Sequence, residues 1–418
     1  MSNCFSSADI LLPDFDKKDG KRWAAIACDQ HTSEPEYWEA ADAFVGDEIS
    51  TLRLILPEVY LDETEARVPV INAIMREYVE SVLACHKDSM IYLERTLADG
   101  SVRRGIVGKL DLECYDYQKG ATSLVRATEG TVLERIPPRV AVRRDAVIEL
   151  PHVMVLIDDP KKTVVEPCTA KTGEYALAYD FELMLGGGHV KGYFLNEARR
   201  QAVCEALEAL VTPEAMLERY GEAYDPLLFA VGDGNHSLAT AKAAYEEVKA
   251  ALGEAAKDHP ARYALVEIVN LHDDALSFEP IYRVMFGVSP VAVIEALKQY
   301  AENLDGAGKP QTVDYVHAGG VGSIVFRRPE AQLTVGTLQR FIDEYVSSHE
   351  GAVVDYIHGV EATERLASGE NAIGFLFDGM EKDELFKTVI CDGALPRKTF
   401  SMGHAEDKRY YLECRKIK

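Results

Sequence analysis

The stretch that most constrains the fold is Leu227–Ala250, LLFAVGDGNHSLATAKAAYEEVKA. Its apolar run, Leu227 to Val231, reads as a buried strand. Gly232, Asp233 and Gly234 make a turn, and Asn235, His236 and Ser237 lead into an alanine-rich helix. In such a unit the first helical N–H groups have no internal partner and point at whatever sits above the turn. The glycines let the backbone approach a ligand closely. The turn is therefore a candidate phosphate cradle, with Ser237 as a candidate helix cap. A tight turn and a capped helix with no ligand fit the same residues. Asp, Asn and His packed between the glycines and the helix favour the ligand.

The chain has 418 residues, 69 acidic and 45 basic, for a net charge of −24. A surface that acidic repels phosphate backbones, which excludes a general nucleic-acid binder. It leaves room for a nucleotide or phosphorylated metabolite in a locally basic pocket, and it suits a divalent cation. The eight cysteines include no CxxC pair, so the spacing gives neither a zinc framework nor a compact disulfide scaffold. A reducing cytoplasm is the expected compartment. The first twenty residues lack a basic segment leading into an apolar one, and no run approaches a membrane span. No membrane partner is expected. The length suggests two or three domains, with composition placing them at 1–120, 121–310 and 311–418.

Along the chain, Trp23–Cys28 reads as a short buried strand running into Asp29, Gln30 and His31, whose polar side chains fit either a ligand contact or a plain helix start near Pro35 capped by Thr32 or Ser33. Residues 63–87 read as an amphipathic helix with Val70, Ile74, Tyr78 and Val82 on one face. Ser89–Leu97 and Ser101–Leu112 read as a hairpin turned at Asp99 and Gly100, with Arg103 and Arg104 either solvated or binding an anion. Glu129 beside Gly130 is a candidate base or metal ligand, or a surface carboxylate. A helix is expected over 139–150, a strand over His152–Ile157, and a glycine-linked hairpin within 163–195. Residues 262–271 read as a buried strand whose end carries His272, Asp273 and Asp274. These three fit a metal site, or a polar strand exit equally well. Arg283 follows near the end of the next strand. Late in the chain, Arg397, Lys398, Thr399 and Ser401 form a basic, hydroxyl-rich loop, and Arg409–Cys414 reads as a last strand. Strand and helix signals alternate without a repeat. The expectation is α/β, with α+β as the alternative, in mixed sheets with flanking helices.

These motifs together resemble the domain-of-unknown-function family 1015 over almost the whole chain. VGDGNHSLATA is similar to a family pattern near ADGHHRYETA. VNLHDDALSFEPIYRV, VVDYIHGVEAT and LPRKTF match further family segments, and Arg126 to Thr131 lies where members often carry His-Glu-x-Thr. The Asp-Gly-x-His core in turn resembles the nucleotide-handling motif of the ParB, sulfiredoxin and free-serine-kinase superfamily. That resemblance implies a ParB/sulfiredoxin-like core around 227–250 and a phosphate site at a helix N-terminus. Two positions depart from the pattern. Ser237 stands where the family has Arg, and Tyr282 replaces the His of Pro-x-His-Arg while Arg283 is kept. Ser237 removes a bidentate phosphate donor, so either Arg103, Arg126, Arg283 or Lys398 substitutes for it or this member does different chemistry. Asn235 stands where the sulfiredoxin branch uses Cys.

The resemblance implies a small-molecule kinase-like enzyme that uses ATP or ADP and Mg²⁺ to phosphorylate a hydroxyl metabolite, conceivably free serine. Gly232, Gly234, Asn235, His236 and Ser237 would hold the phosphates. Asp233 would carry the metal or orient the acceptor, and Glu129 would take the acceptor's proton. Arg126, Arg283 and Lys398 would neutralise phosphate charge. The expectation is that these groups, spread from position 126 to 398, converge on one concave site. The alternative is a non-catalytic nucleotide- or metabolite-binding regulator, motivated by Ser237.

Overall fold

The computed structural model describes residues 4–118, 120–130, 136–150, 153–403 and 405–418. Thr131 and His152 lie outside the described residues. The chain forms two compact units, and neither is a continuous stretch. One holds residues 1–127, 131–276 and 404–418; the other holds 128–130 and 277–403. Both mix strands and helices, so the architecture is α/β in mixed sheets with flanking helices. No helix among the described residues is long and apolar enough to cross a membrane.

The first unit is built on a ten-stranded sheet. Its centre is Tyr263–Asn270, buried along nearly its whole length. That strand runs antiparallel to Val102–Asp111 on one side and parallel to Met154–Ile157 on the other. Phe229–Asp233 lies beside Met154–Ile157 and pairs in parallel with Val125–Ala127. Strand alternation divides the core. Val266 and Ile268 face one apolar cluster, together with Leu238, Ala241 and Tyr245 of the Asn235–Leu252 helix. Leu265 faces the other, with Trp38, Met75 and Tyr78 from helices nearer the N-terminus.

The hairpin expected at 89–112 forms as Ile91–Thr96 and Val102–Asp111, and that expected within 163–195 as Ala176–Glu182 and His189–Phe194. Other readings are corrected. Helix Thr64–Ser81 buries Ile71, Met75 and Tyr78 while Val70 is 58% exposed, so its buried face keeps Tyr78 but turns from Val70 and Ile74 toward Ile71 and Met75. Leu83–Ser89 leaves the helix to become a strand against Ala8–Pro13. Trp23 to Ala27 are buried, but Ile26 makes only a single bridge, to Tyr410. The hydroxyls of Ser50 and Thr51 satisfy the Trp23 carbonyl and the Ala25 N–H where a neighbouring strand would otherwise do so. Helix Pro35–Val45 begins at Pro35 after Glu34, so neither Thr32 nor Ser33 is its cap. The helix expected over 139–150 stops at Arg144, and Ile148–Glu149 pairs with Arg415–Lys416 instead. Within Arg409–Cys414 only single bridges form, at Tyr410 and Cys414.

Glu149 explains that last change. Its buried carboxylate accepts from Arg415 Nε at 2.7 Å and from the Leu265 N–H at 2.9 Å, and it is also bound by Arg143. Burial by itself raises the carboxyl, but Arg415 and Arg143 outweigh it and hold the group below its usual 4.5. A carboxylate depressed in the folded state contributes stability above its unfolded value, and that contribution is lost as pH falls through the folded value. Glu149→Gln strands two arginines and is expected to cost about 3 kcal/mol at neutral pH. Urea titrations from pH 7 to 3 should show the gap to wild type closing below about pH 4.5. A gap that persists undiminished in acid would contradict the assignment.

The second unit carries a six-stranded sheet. Phe278–Phe286 lies between Val353–His358 and Ala372–Leu376, both antiparallel to it, with Phe400–Met402 pairing at its start. Gln311–His317 and Gly320–Phe326 extend the sheet as a hairpin. Helix Thr334–Ser348 turns a continuous apolar face, including Leu338, Phe341 and Ile342, toward the core.

Candidate nucleotide-phosphate site

The strand–turn–helix unit exists as the strand Phe229–Asp233 and the helix Asn235–Leu252. Gly234 occupies the cap position in the left-handed region, φ 79°, and no side chain caps the helix. Ser237 is therefore not the cap. It stands in the helix's first turn, among the N–H groups that lack an intrahelical acceptor. The glycines are required for different reasons. A Cβ at Gly234 would stand 3.1 Å from the Val153 backbone in a backbone conformation that L residues resist, and one at Gly232 would stand 2.8 Å from Leu156. The Asp233 carboxylate accepts from the Gly234 N–H at 2.9 Å, which closes the turn, and Asn235 Nδ2 donates to the Val231 carbonyl at 3.3 Å.

Lys408 completes this turn, and sequence reasoning missed it. Its ammonium lies 3.4 Å from Asp233 Oδ2, with both side chains mostly buried. The segment before it is fixed from beneath: Arg95 donates to the Glu406 carbonyl at 3.0 Å and Arg103 to the Asp407 carbonyl at 2.9 Å. Residue 409 is fixed as well, because Arg409 Nε donates to Glu267 at 2.7 Å and Nη2 to Glu413 at 2.8 Å. Arg103 is thus neither a solvated edge nor an anion contact. Its 4% exposure and its carbonyl partner make it a brace for the segment that carries Lys408. No local signal in EDKRYYLEC marks Lys408, since its partner is 175 positions away.

Arg126, in the same unit, is buried. Nε donates to the Ser123 carbonyl at 2.8 Å, and Nη2 donates to the carbonyls of Asp225 and Pro226 at 3.3 and 3.1 Å. Its visible work is to join two loops, and burial lowers its pKa.

In the second unit Arg283 does the equivalent. It is fully buried, donating to Gln339 Oε1 at 2.9 Å and to the Ile281, Lys398 and Arg397 carbonyls. Its guanidinium lies over Tyr356 and Phe377. Burial pushes its pKa down to about 10, partly offset by Tyr356, Asp343 and, less strongly, Glu129. The loop it grips presents two further cations around the same ring: Arg397 Nε donates to Tyr356 Oη at 2.7 Å, and Lys398 Nζ stands 5.4 Å over the ring. Lys398 has φ 52°, an unusual value for a non-glycine residue. Glu129 belongs to this unit too. It bridges in parallel to Leu395, whose N–H donates to the Thr128 carbonyl at 2.7 Å. The expected site residues therefore form two sets. Arg126 and Gly232 to Ser237 lie in the first unit, and Glu129, Arg283 and Lys398 in the second.

The metal reading of His272, Asp273 and Asp274 gives way to structural contacts. His272 Nε2 pairs with Asp158 at 2.7 Å, Asp273 accepts from the Arg104 and Ala275 N–H groups, and Asp274 pairs with Lys162. Among the described residues no three His, Cys, Asp or Glu side chains are grouped to hold a metal ion.

Gly234→Ala tests the turn. Forcing an L residue into the left-handed region costs about 1–2 kcal/mol, and contact with Val153 adds to it. Equilibrium unfolding should register that loss. An unchanged midpoint would mean that the backbone at 234 is not left-handed.

Several solved structures resemble the chain, three of them as follows. A conserved hypothetical protein from Pyrococcus furiosus is 16% identical, TM-score 0.29, over 46% of this chain and 75% of that one. A free serine kinase mutant in complex with AMP is 13% identical, TM-score 0.37, over 74% and 91%. SbnI with a C-terminal truncation, from Staphylococcus aureus, is 12% identical, TM-score 0.34, over 73% and 85%. No curated protein matches the chain. The family model described as protein of unknown function, DUF1015, matches residues 13–416. With nearly its whole length matched, the chain belongs to the DUF1015 family.

Proposed function

We propose that the chain is a small-molecule kinase-like phosphoryl-transfer enzyme, using ATP or ADP with Mg²⁺ and acting on a hydroxyl metabolite, with free serine the first acceptor to try. The observation that carries the reading is the Asp233–Lys408 pair at the N-terminus of the Asn235–Leu252 helix. Phosphoryl transfer asks for charge neutralisation and alignment more than for a reactive nucleophile. A left-handed glycine turn at a helix N-terminus and a braced ammonium are suited to that task. In this reading Lys408 supplies the charge that Ser237 lacks, and the 227–250 unit is the ParB/sulfiredoxin-like core of the protein. The backbone from Gly232 to Ser237 and the His236 side chain hold terminal phosphates. Asp233 carries Mg²⁺; one carboxylate is enough when phosphate oxygens and water fill the other positions. Arg126 and Arg283, committed to carbonyls, shape loops, while Lys398 keeps a phosphate role. Glu129 accepts the acceptor hydroxyl's proton.

The test is thermal stabilisation by ATP and ADP, each with and without Mg²⁺, followed by assays with serine and other hydroxyl acceptors. A ligand at 100 times its dissociation constant stabilises by about 2.7 kcal/mol. Lys408→Ala and His236→Ala are each expected to weaken nucleotide binding about tenfold or more, equivalent to about 1.4 kcal/mol. Glu129→Gln should keep binding and lose turnover. No stabilisation by either nucleotide overturns the reading. Binding without turnover on any acceptor would instead support the regulator that Ser237 favours.

A further inference from the structure

The second unit gathers three cations around one tyrosine ring. The guanidinium carbons of Arg283 and Arg397 stand 4.9 and 5.4 Å from the centre of Tyr356, and Lys398 Nζ stands 5.4 Å from it. In a chain with 69 acidic and 45 basic residues a cation ordinarily finds a carboxylate, as Lys161 finds Glu218 at 2.9 Å and Arg340 finds Glu330 at 2.8 Å. Among the described residues Arg397 and Lys398 form no such pair. Arg283 is buried beside the same ring and spends its donors on Gln339 and on carbonyls, those of Arg397 and Lys398 included. The loop is thus anchored through its backbone while both side chains stay exposed. Lys398 is held there at φ 52°, a region that L residues resist. The Tyr356 hydroxyl completes the set. Arg397 Nε donates to its oxygen at 2.7 Å, and Gln339 Nε2 stands 3.5 Å away as a second donor. With both lone pairs so engaged, the hydroxyl proton can go only to an acceptor, and among the described residues none takes it.

We propose that Arg397, Lys398 and Tyr356 form an oxyanion site, which takes the carboxylate or phosphate monoester group of a small molecule. The donors differ in what they supply. Arg397, its Nε committed to Tyr356, keeps two Nη groups that meet two oxygens of one anion as a planar fork. Lys398 adds a point charge, and the Tyr356 O–H donates to a further oxygen. Cation–π attraction accounts for a cation over the ring. It does not account for three cations that repel one another, nor for a phenol proton without an acceptor. The repulsion reaches the buried member, because Arg397 adds to the lowering that burial imposes on Arg283. An oxyanion relieves it. The site lies wholly within the second unit and uses neither the turn at 232–237 nor Lys408. It extends the phosphate role of Lys398 to a site whose chief ligand is Arg397 and which fills without a nucleotide.

The experiment titrates the full chain calorimetrically with inorganic phosphate and, separately, with succinate, each against sodium chloride at matched ionic strength. Saturable binding of phosphate assigns the site to a phosphate monoester, and binding of succinate to a carboxylate. Arg397→Ala is expected to weaken that binding about tenfold or more. Arg397→Lys, which keeps the charge and loses the fork, should fall between the two. Tyr356→Phe should weaken it without any change of charge, which mere screening of the cations would not produce. Arg397 is exposed, so its variants should unfold at the wild-type midpoint without ligand. Lys408→Ala should leave this binding in place, which separates it from the nucleotide site of the first unit. Three results would each overturn the proposal: neither anion binding beyond the chloride control, binding that survives Arg397→Ala, or binding lost in Lys408→Ala and kept in Arg397→Ala.

Discussion

The first unit depends on Arg409. Its guanidinium is buried against Glu267 on the central strand, Glu413 four residues later and the Tyr410 carbonyl, while Tyr179 Oη closes on Glu413. Removing one arginine and two carboxylates from water costs several kcal/mol per ion, and their mutual bonds offset that cost. The arrangement therefore tolerates a single register of the C-terminal segment against the sheet. A slip of one residue would leave three charges in an apolar layer that includes Leu265, Val107 and Leu183. The indole N–H of Trp23, which donates to the Leu412 carbonyl at 2.9 Å, fixes the same segment from its other side. Lys408 inherits its position from this constraint, being next in sequence to the residue that cannot move.

Arginine has a consistent use across both units. Arg95, Arg103, Arg126 and Arg283 all turn inward and donate to backbone carbonyls of loops. A planar fork of five donors can satisfy several carbonyls at once, which an ammonium cannot. Two of the loops so held carry a lysine, Lys408 in the segment braced by Arg95 and Arg103 and Lys398 in the loop held by Arg283. In so acidic a chain the arginines that stand out in the sequence brace loops. Most of them build the loop, and the lysine is what the loop displays.

That division also marks where the sequence was legible. The Ile91–Asp111 hairpin and the strand–turn–helix at 227–250 follow from local periodicity and turn chemistry. Trp23 to Ala27 read as a strand because its burial is real, but hydroxyls from Ser50 and Thr51 replace the neighbouring strand, and nothing in WAAIAC reports them. The 64–81 helix was recognisable while its face was not. Val70, Ile74 and Tyr78 satisfy helical spacing about as well as Ile71, Met75 and Tyr78, and only packing chooses between them. The pairs 409 with 267, 415 with 149 and 408 with 233 join positions more than 140 apart, beyond any pattern in a single sequence.

The exchange of Arg for Ser at 237 is then best weighed against Lys408 rather than in isolation. An arginine on the first helical turn grips phosphate bidentately and stays charged throughout. A lysine arriving from the chain's far end is a point charge that already has a partner, Asp233 at 3.4 Å. On the proposed reading an incoming phosphate competes with Asp233 for that ammonium, and success frees the carboxylate to meet the cation accompanying the phosphate. The charge needed by the anion and the charge needed by the metal are then stored together as a neutral pair until both arrive. An arginine fixed at 237 would contribute its half without that coupling. On that reading Ser237 changes how the turn at 232–237 is charged and leaves its geometry intact.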